Sequence, residues 1–212
     1  MILVRAPQPA LDQAALTRRV IAACRDVIVE HEAYLCDLDC AIGDGDHGTN
    51  MRRGLEALTG ESEHLATVPF SEAMIAAGTV LVMSIGGAAG PLYGTLLMEI
   101  GKGMAADPSA AFADVFQQAV AAVARRGKSS PGEKTLLDVL YPLSDALIEQ
   151  MPLSLLAEES QGFANKTIDM KALRGRASFL GERSIGHMDP GAASCALLCA
   201  TICRELVLAG AA

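Results

Sequence analysis

Three aspartates, Asp39, Asp44 and Asp46, fall within eight residues and alternate with Gly43, Gly45 and Gly48. Carboxylates set this close repel one another unless a cation lies between them, and glycines let the backbone turn them towards one point. An all-oxygen donor set without thiolate suits Mg2+ or Ca2+ better than zinc. The same residues also describe a solvated acidic turn built from Asp-Gly pairs, and spacing alone does not separate the two. Asp37 reads as a bystander. His47, next to the carboxylates, can contact the phosphate or the base of a ligand.

Two familiar motifs fit this segment poorly. Gly43, Gly45 and Gly48 satisfy GxGxxG, but no strand precedes them and the interleaved aspartates would oppose a bare pyrophosphate. An EF-hand loop fails because the fifth position is Ala41 counting from Asp37 and Gly48 counting from Asp44. Gly127-Lys128-Ser129 ends like a Walker A loop, yet Ala122 stands where the first glycine belongs. Lys128 therefore reads as a surface residue or a loose phosphate contact.

Other segments supply complementary parts. Gly86-Gly87-Ala88-Ala89-Gly90 can present bare N–H groups to an anion, or can simply let two helices pack closely. Asp189-Pro190-Gly191 opens a helix whose first N–H groups can face a phosphate; ordinary capping explains it equally. Arg174, Arg176 and Arg183 add positive charge on a further loop. Carboxylates for a cation, backbone donors for phosphates and basic residues on a further loop are the parts of phosphoryl transfer, where catalysis is mainly positioning and charge neutralisation.

The elements that must hold these residues are helical. Apolar residues make up 51% of the 212, Trp is absent, and Ala, Leu and Met outnumber β-branched alternating runs. Apolar periodicity predicts a first helix over residues 11–33, with Leu16, Val20, Cys24, Val27 and His31 on one stripe. Further helices are expected from near Thr49, from Ser71 to the glycine bend, and over residues 92–104. Asp107-Pro108 should cap a helix bearing Phe112, Val115, Phe116, Ala119, Val120 and Val123 on its core face. Leu136, Val139, Leu140, Leu143 and Leu147 repeat that pattern. Pro152 should start a helix running to about Ala172, residues 174–187 should form a loop, and Asp189-Pro190 should cap the last helix. About eight helices with short connections and no linker or repeat predict an all-α, single-domain antiparallel barrel or bundle. The polar, Gly-rich segments at residues 37–48, 126–134 and 174–191 all fall between helices.

Composition also bounds the partners. A net charge of −8 argues against nucleic acid. The 26 uncharged residues from Ala73 to Met98 are split by glycines and Pro91 into pieces too short to cross a bilayer, so no membrane partner is expected. Six cysteines occur, five of them at helical spacings (Cys36 and Cys40; Cys195, Cys199 and Cys203), and they read as core residues in a reducing, cytoplasmic compartment.

The motifs IGDGDHGTNMRRG, GGAAGPLYGT, RGKSSPGEKTLLDVL and GRASFLGERSIGHMDPGAAS, in this order, resemble the nucleotide-binding (L) subunit of dihydroxyacetone kinases from about Asp39 to Ala193. The resemblance implies an eight-helix antiparallel barrel with a nucleotide held in loops at one end. It implies that Asp39, Asp44 and Asp46 hold two Mg2+ ions and that His47, Gly48, Thr49 and Asn50 contact the nucleotide. Ala88 and Ala89 would offer N–H groups to phosphate oxygens; Gly127, Thr135 and Leu136 would border the base. Arg176, Asp189, Pro190 and Gly191 would close over the nucleotide. Where the family often has Ser, this chain has Ala89, so a hydroxyl contact is lost; where it commonly has Met, Leu136 keeps a similar volume. The family divides its labour: a K subunit binds the hydroxyketone, and the L unit delivers phosphate from ATP or from ADP recharged by a phosphotransferase-system (M) subunit. The chain would then be inactive on the ketone alone, and a homodimer is a further expectation. A nucleotide-binding module that signals to a transcription factor is the competing reading.

Overall fold

The uncharged stretch between Glu72 and Glu99 folds into two helices, α5 (Phe70–Ser84) and α6 (Ala89–Ala106), packed directly on each other. Small residues make this possible. A Cβ on Gly78 would lie 2.6 Å from the Gly94 carbonyl oxygen, and one on Gly94 would lie 2.7 Å from that of Gly78. The two backbones therefore approach more closely than any larger residue allows.

The computed structural model describes residues 12–210. Before α5 come α1 (Gln13–Glu30), α2 (Glu32–Ile42), α3 (His47–Gly60) and the short α4 (Ser62–Thr67). After α6 come α7 (Phe112–Gly127), α8 (Leu137–Ile148), α9 (Leu153–Asn165) and α10 (Pro190–Leu208), with 3-10 stretches at Lys166–Asp169 and Arg176–Ser184. No strand occurs among the described residues. Helix α1 packs on α3, α3 on α5, α5 on α6, and so on through α10, which returns to α1. Eight helices thus close an antiparallel ring, as the sequence leads one to expect. The enclosed core includes Ile28, Leu35, Met51, Val120, Val123, Leu140 and Leu156, each almost fully buried. Each such side chain contributes about 1.5–3 kcal/mol on leaving water.

The structure corrects several sequence expectations. The first helix breaks at His31 and resumes as α2, which carries Asp37 and Asp39 within it. The acidic loop is thereby reduced to residues 43–46. Leu11 lies outside the described residues. On α1 the buried face is Leu16, Ile21, Cys24 and Ile28, whereas Val20, Val27 and His31 sit at its margin. Asp107 does not cap α7: its Oδ1 accepts from the N–H and the hydroxyl of Ser109, closing a separate turn. Helix α7 starts at Phe112, whose ring is 43% exposed. The segment after α9 leaves the α-helix at Asn165, and residues 174–187, expected as a loop, contain a 3-10 stretch kinked at Gly181. Helix α4 was not expected. Asp189 does cap α10, accepting from Ala192 N–H at 2.7 Å, with Pro190 in the first turn. Helix α10 is long and apolar enough to cross a bilayer by length and composition, and it packs against α1, α8 and α9.

The close approach of α5 and α6 sets a sign that helix propensity alone would reverse. Gly78→Ala should destabilise the fold by about 1–2 kcal/mol, because overpacking against backbone outweighs the propensity gain. Gly60→Ala, where a Cβ would meet nothing within 4 Å, should stabilise by about 0.5 kcal/mol. Urea denaturation midpoints measure both, and shifts of the same sign would contradict the packing account.

Candidate functional site

An antiparallel ring of eight helices turns the N-termini of every second helix to the same end. Helices α3, α6, α8 and α10 all begin at one mouth, and residues at all four starts line a single cleft of about 500 Å³. Each start carries roughly half a positive charge from the aligned peptide dipoles. Such a mouth attracts anions before any side chain is considered.

Asp39 rises from the last turn of α2 and is 9% exposed. Its Oδ2 accepts from the N–H groups of Asp46 (2.9 Å) and His47 (3.2 Å), so it caps α3 from outside that helix. A Cβ at Gly43 would collide with Oδ1, which explains why only glycine fits there. Gly45, at φ +80°, reverses the chain between Asp44 and Asp46. The carboxylates of Asp39, Asp44 and Asp46 each place an oxygen within 4.8 Å of the others. Three hard oxygens so arranged can hold Mg2+. Arg176 Nη1 reaches over from the far loop to Asp44 Oδ2 at 2.6 Å. Asp37 is exposed and outside the cleft.

The opposite wall is backbone. Gly87, at φ +66°, turns the chain into α6, whose N-terminus at Ala88 and Ala89 borders the cleft with no side chain capping it. Asn50 is buried beneath this bend and accepts from Arg53 Nη2 (2.7 Å), while Arg53 Nε donates to the Ser84 carbonyl (2.7 Å). Helix α3 thereby grips the end of α5 and sets the position of the bend. A Cβ on Gly86 would lie 2.6 Å from Asn50 Oδ1, so the contact requires glycine.

Pro91, Leu92, Val123 and Leu136 form an apolar strip, with Gly127 beside Leu92. The loop leading into α8 is ordered by Asp138, which accepts from Gly132 N–H (2.5 Å) and Thr135 N–H (2.7 Å). Thr135 Oγ1 in turn accepts from Leu137 N–H. Lys134, 1% exposed, donates to the carbonyls of Thr167 (2.6 Å), Met170 (3.2 Å) and His187, stapling this loop to the segment before α10. Burial pulls its pKa down, while Asp189, Asp169 and Asp138 oppose that shift.

Asp189 and Pro190 complete the rim, with Gly191 behind them. Asp189 N–H donates to Thr167 Oγ1 at 3.0 Å. Burial pushes the Asp189 carboxyl up to about 7, against the lowering effects of Ala192 N–H and Lys134. Burial likewise pushes the His47 imidazole down, with Asp39 and Asp46 opposing. His47 Nε2 lies 2.9 Å from Ser194 Oγ.

Of the residues singled out in the sequence, Asp39, Asp44, Asp46, His47, Asn50, Ala88, Ala89, Gly127, Thr135, Leu136, Arg176, Asp189, Pro190 and Gly191 come together around the cleft. Gly48 and Thr49 do not line it. Gly48 is pressed against the Glu32 carbonyl, and Thr49 Oγ1 donates to Glu32 Oε1 at 3.0 Å, so both serve the α2–α3 contact. Arg174 lines the rim but pairs with Glu133 (2.8 Å), while Arg183 and Lys128 stay exposed outside it. The arginine and the nearby Ser130 N–H hold the Glu133 carboxyl down at about 2. Sequence reasoning missed Arg126, Lys134 and Tyr93. Lys134 gave no signal, since a lysine in a polar loop ordinarily faces solvent. Tyr93 lay within a motif of the resemblance, but the sequence assigned it no role of its own.

Residues 41–204 match the family model described as the DAK2 domain. The chain is 42% identical over 173 residues to the PEP-dependent dihydroxyacetone kinase 1, ADP-binding subunit DhaL, of Listeria innocua, covering 81% of this chain and 86% of that protein. It is 37% identical over 185 residues to the corresponding PEP-dependent ADP-binding subunit of Escherichia coli, covering 82% and 88%. The L-erythrulose 1-kinase of Mycolicibacterium smegmatis is 32% identical over 84% of this chain, which spans only 33% of that longer protein. The crystal structure of the dihydroxyacetone kinase of C. freundii shares the fold, with a TM-score of 0.71 at 21% identity over 96% of this chain and 36% of that one. The same enzyme in complex with AMP-PNP and Mg2+ aligns with a TM-score of 0.70. By its family match and by its identity to relatives that it covers almost end to end, this chain belongs to the DAK2 domain family.

Proposed function

We propose that this chain, a single domain, is the nucleotide-carrying subunit of a dihydroxyacetone-type kinase, passing a phosphoryl group to a hydroxyketone held on a partner K subunit. One observation carries the reading: a carboxylate triad, four helix N-termini and an apolar strip border the same cleft. A nucleoside di- or triphosphate needs those three surfaces and little else. The relatives that the chain covers almost end to end are named as ADP-binding subunits, which supports ADP or ATP as the nucleotide.

In this reading Asp39, Asp44 and Asp46 would hold Mg2+, two ions in all, which would supply charge neutralisation for the phosphates. Asp39 keeps one oxygen for the α3 amides, which orients the other towards the site. The N–H groups at Ala88 and Ala89 receive phosphate oxygens, and the dipole of α6 favours them there. Leu92 and Leu136 pack on the base, with Gly127 and Thr135 at its edge. Arg176, paired with Asp44 here, would be released to meet phosphate oxygens if that aspartate held a cation. Asp189, Pro190 and Gly191 close the far side.

The hydroxyketone is assigned to the partner, in keeping with relatives named as one subunit of a kinase. PEP-dependent relatives support a phosphotransferase-system M subunit as the donor that recharges bound ADP, and six free cysteines suit a cytoplasmic setting.

Two experiments test this. In Asp44→Asn with Asp46→Asn, calorimetry should show Mg2+-nucleotide affinity falling by at least about 100-fold, since hard-cation affinity follows ligand charge; unchanged affinity would sink the site assignment. The purified chain should retain ADP through extensive dialysis and phosphorylate dihydroxyacetone only when K and M subunits are added. Free exchange of ADP together with turnover on ATP and K alone would replace the recharging route by direct use of ATP.

A further inference from the structure

Beneath the cleft lies a buried polar chain that the reading above does not use. Ser194 on α10 is fully buried, and its Oγ lies 2.8 Å from Tyr93 Oη on α6, 2.9 Å from His47 Nε2 on α3, and 3.1 Å from the Gly191 carbonyl oxygen one turn earlier. One hydroxyl therefore ties together three of the four helices that begin at the mouth.

Counting protons assigns the directions. A serine hydroxyl has one proton to donate and two lone pairs to accept with. The Gly191 carbonyl can only accept. If Ser194 donates to it, as serines in helices commonly do to the preceding turn, Tyr93 must donate to Ser194 and His47 must donate through Nε2–H. All three contacts are then satisfied and the capacity of the hydroxyl is filled. Should Ser194 instead donate to His47, two oxygens would face each other at 3.1 Å with no proton between them. Turning Tyr93 Oη to Gly191 O gives a longer contact, 3.4 Å, and still leaves Nε2 as the donor to Ser194.

We propose that Tyr93 and Ser194 are positioning residues that hold His47 with Nε2–H turned inward, leaving Nδ1 as the ring's acceptor beside the carboxylates. Among the described residues the ring's hydrogen bond runs through Nε2, to Ser194. In the neutral ring Nδ1 then offers a lone pair. With Nε2–H committed to Ser194, Nδ1 is the ring atom left to face a ligand. This narrows the role of His47 within the proposed nucleotide site and rests on that reading only for the identity of the ligand.

The tautomer is measurable without any ligand. In the full chain with 15N-labelled histidine, long-range 1H–15N correlations should show His47 Nε2 as the protonated-type and Nδ1 as the unprotonated-type nitrogen. Ser194→Ala should mix the two patterns, and Tyr93→Phe should do so more weakly; both are small changes in volume. Calorimetry with Mg2+-ADP should show about a tenfold loss of affinity in Ser194→Ala, the low end of what losing a histidine's orienting partner costs at metal sites. An Nδ1-protonated ring in the parent chain, or an unaltered pattern in Ser194→Ala, would overturn the proposal. Failure of Mg2+-ADP to bind the parent chain would instead overturn the nucleotide reading, with the tautomer still legible.

Discussion

Four helix N-termini and three carboxylates meet at one mouth, and the balance of those opposite charges organises everything around them. The aligned peptide dipoles make the mouth favourable to anions, while the aspartates make part of it repel them. Both features persist together only if a cation, or a guanidinium in its place, stands between the carboxylates and the incoming anion. The Arg176–Asp44 pair is that arrangement within the protein itself. Asp39 connects the two charge systems, since its Oδ2 accepts from the amides at the start of α3 while its carboxylate belongs to the triad.

Holding four helix starts in register requires ties that do not depend on the ligand. Arg53 joins α3 to the end of α5, Lys134 staples the entrance of α8 to the segment before α10, and Ser194 links α3, α6 and α10. Lys134 and Ser194 are buried and Arg53 is exposed, yet the polar groups of all three find partners within the protein, so each costs little desolvation that is not recovered. The chain thus builds a rigid rim from loops that are individually short. The close α5–α6 packing through Gly78 and Gly94 serves the same end, because it fixes where the bend into α6 emerges.

Much of this was readable in the sequence, and the reasons differ from element to element. Helix α7 and the start of α10 were legible because a 3.6-residue stripe and an Asp-Pro cap are local signals. The acidic triad was legible as a set because its members lie within eight residues. The end of α2 was not. Helix propensity around Asp37 and Asp39 is weak, and only the buried contact of Asp39 with the start of α3 explains why the helix continues that far. Asp107-Pro108 shows the reverse failure: a correct capping signal closed a turn with Ser109 instead.

By itself, then, the sequence determined the helical period, the residue types of the acidic cluster and the small-residue bend, since all of these depend on neighbours within a few positions. The ordered run of motifs added the family resemblance. Only the tertiary structure decided which end of the ring those residues share, because antiparallel alternation is a property of packing rather than of any one helix. It also decided that Gly48 and Thr49 face α2 rather than the cleft, and that Lys134 is buried instead of exposed. The aspartates of the opening pattern were an even choice between cation site and solvated turn. What resolves their geometry is the buried carboxylate of Asp39, held by two backbone amides that sequence spacing could not place.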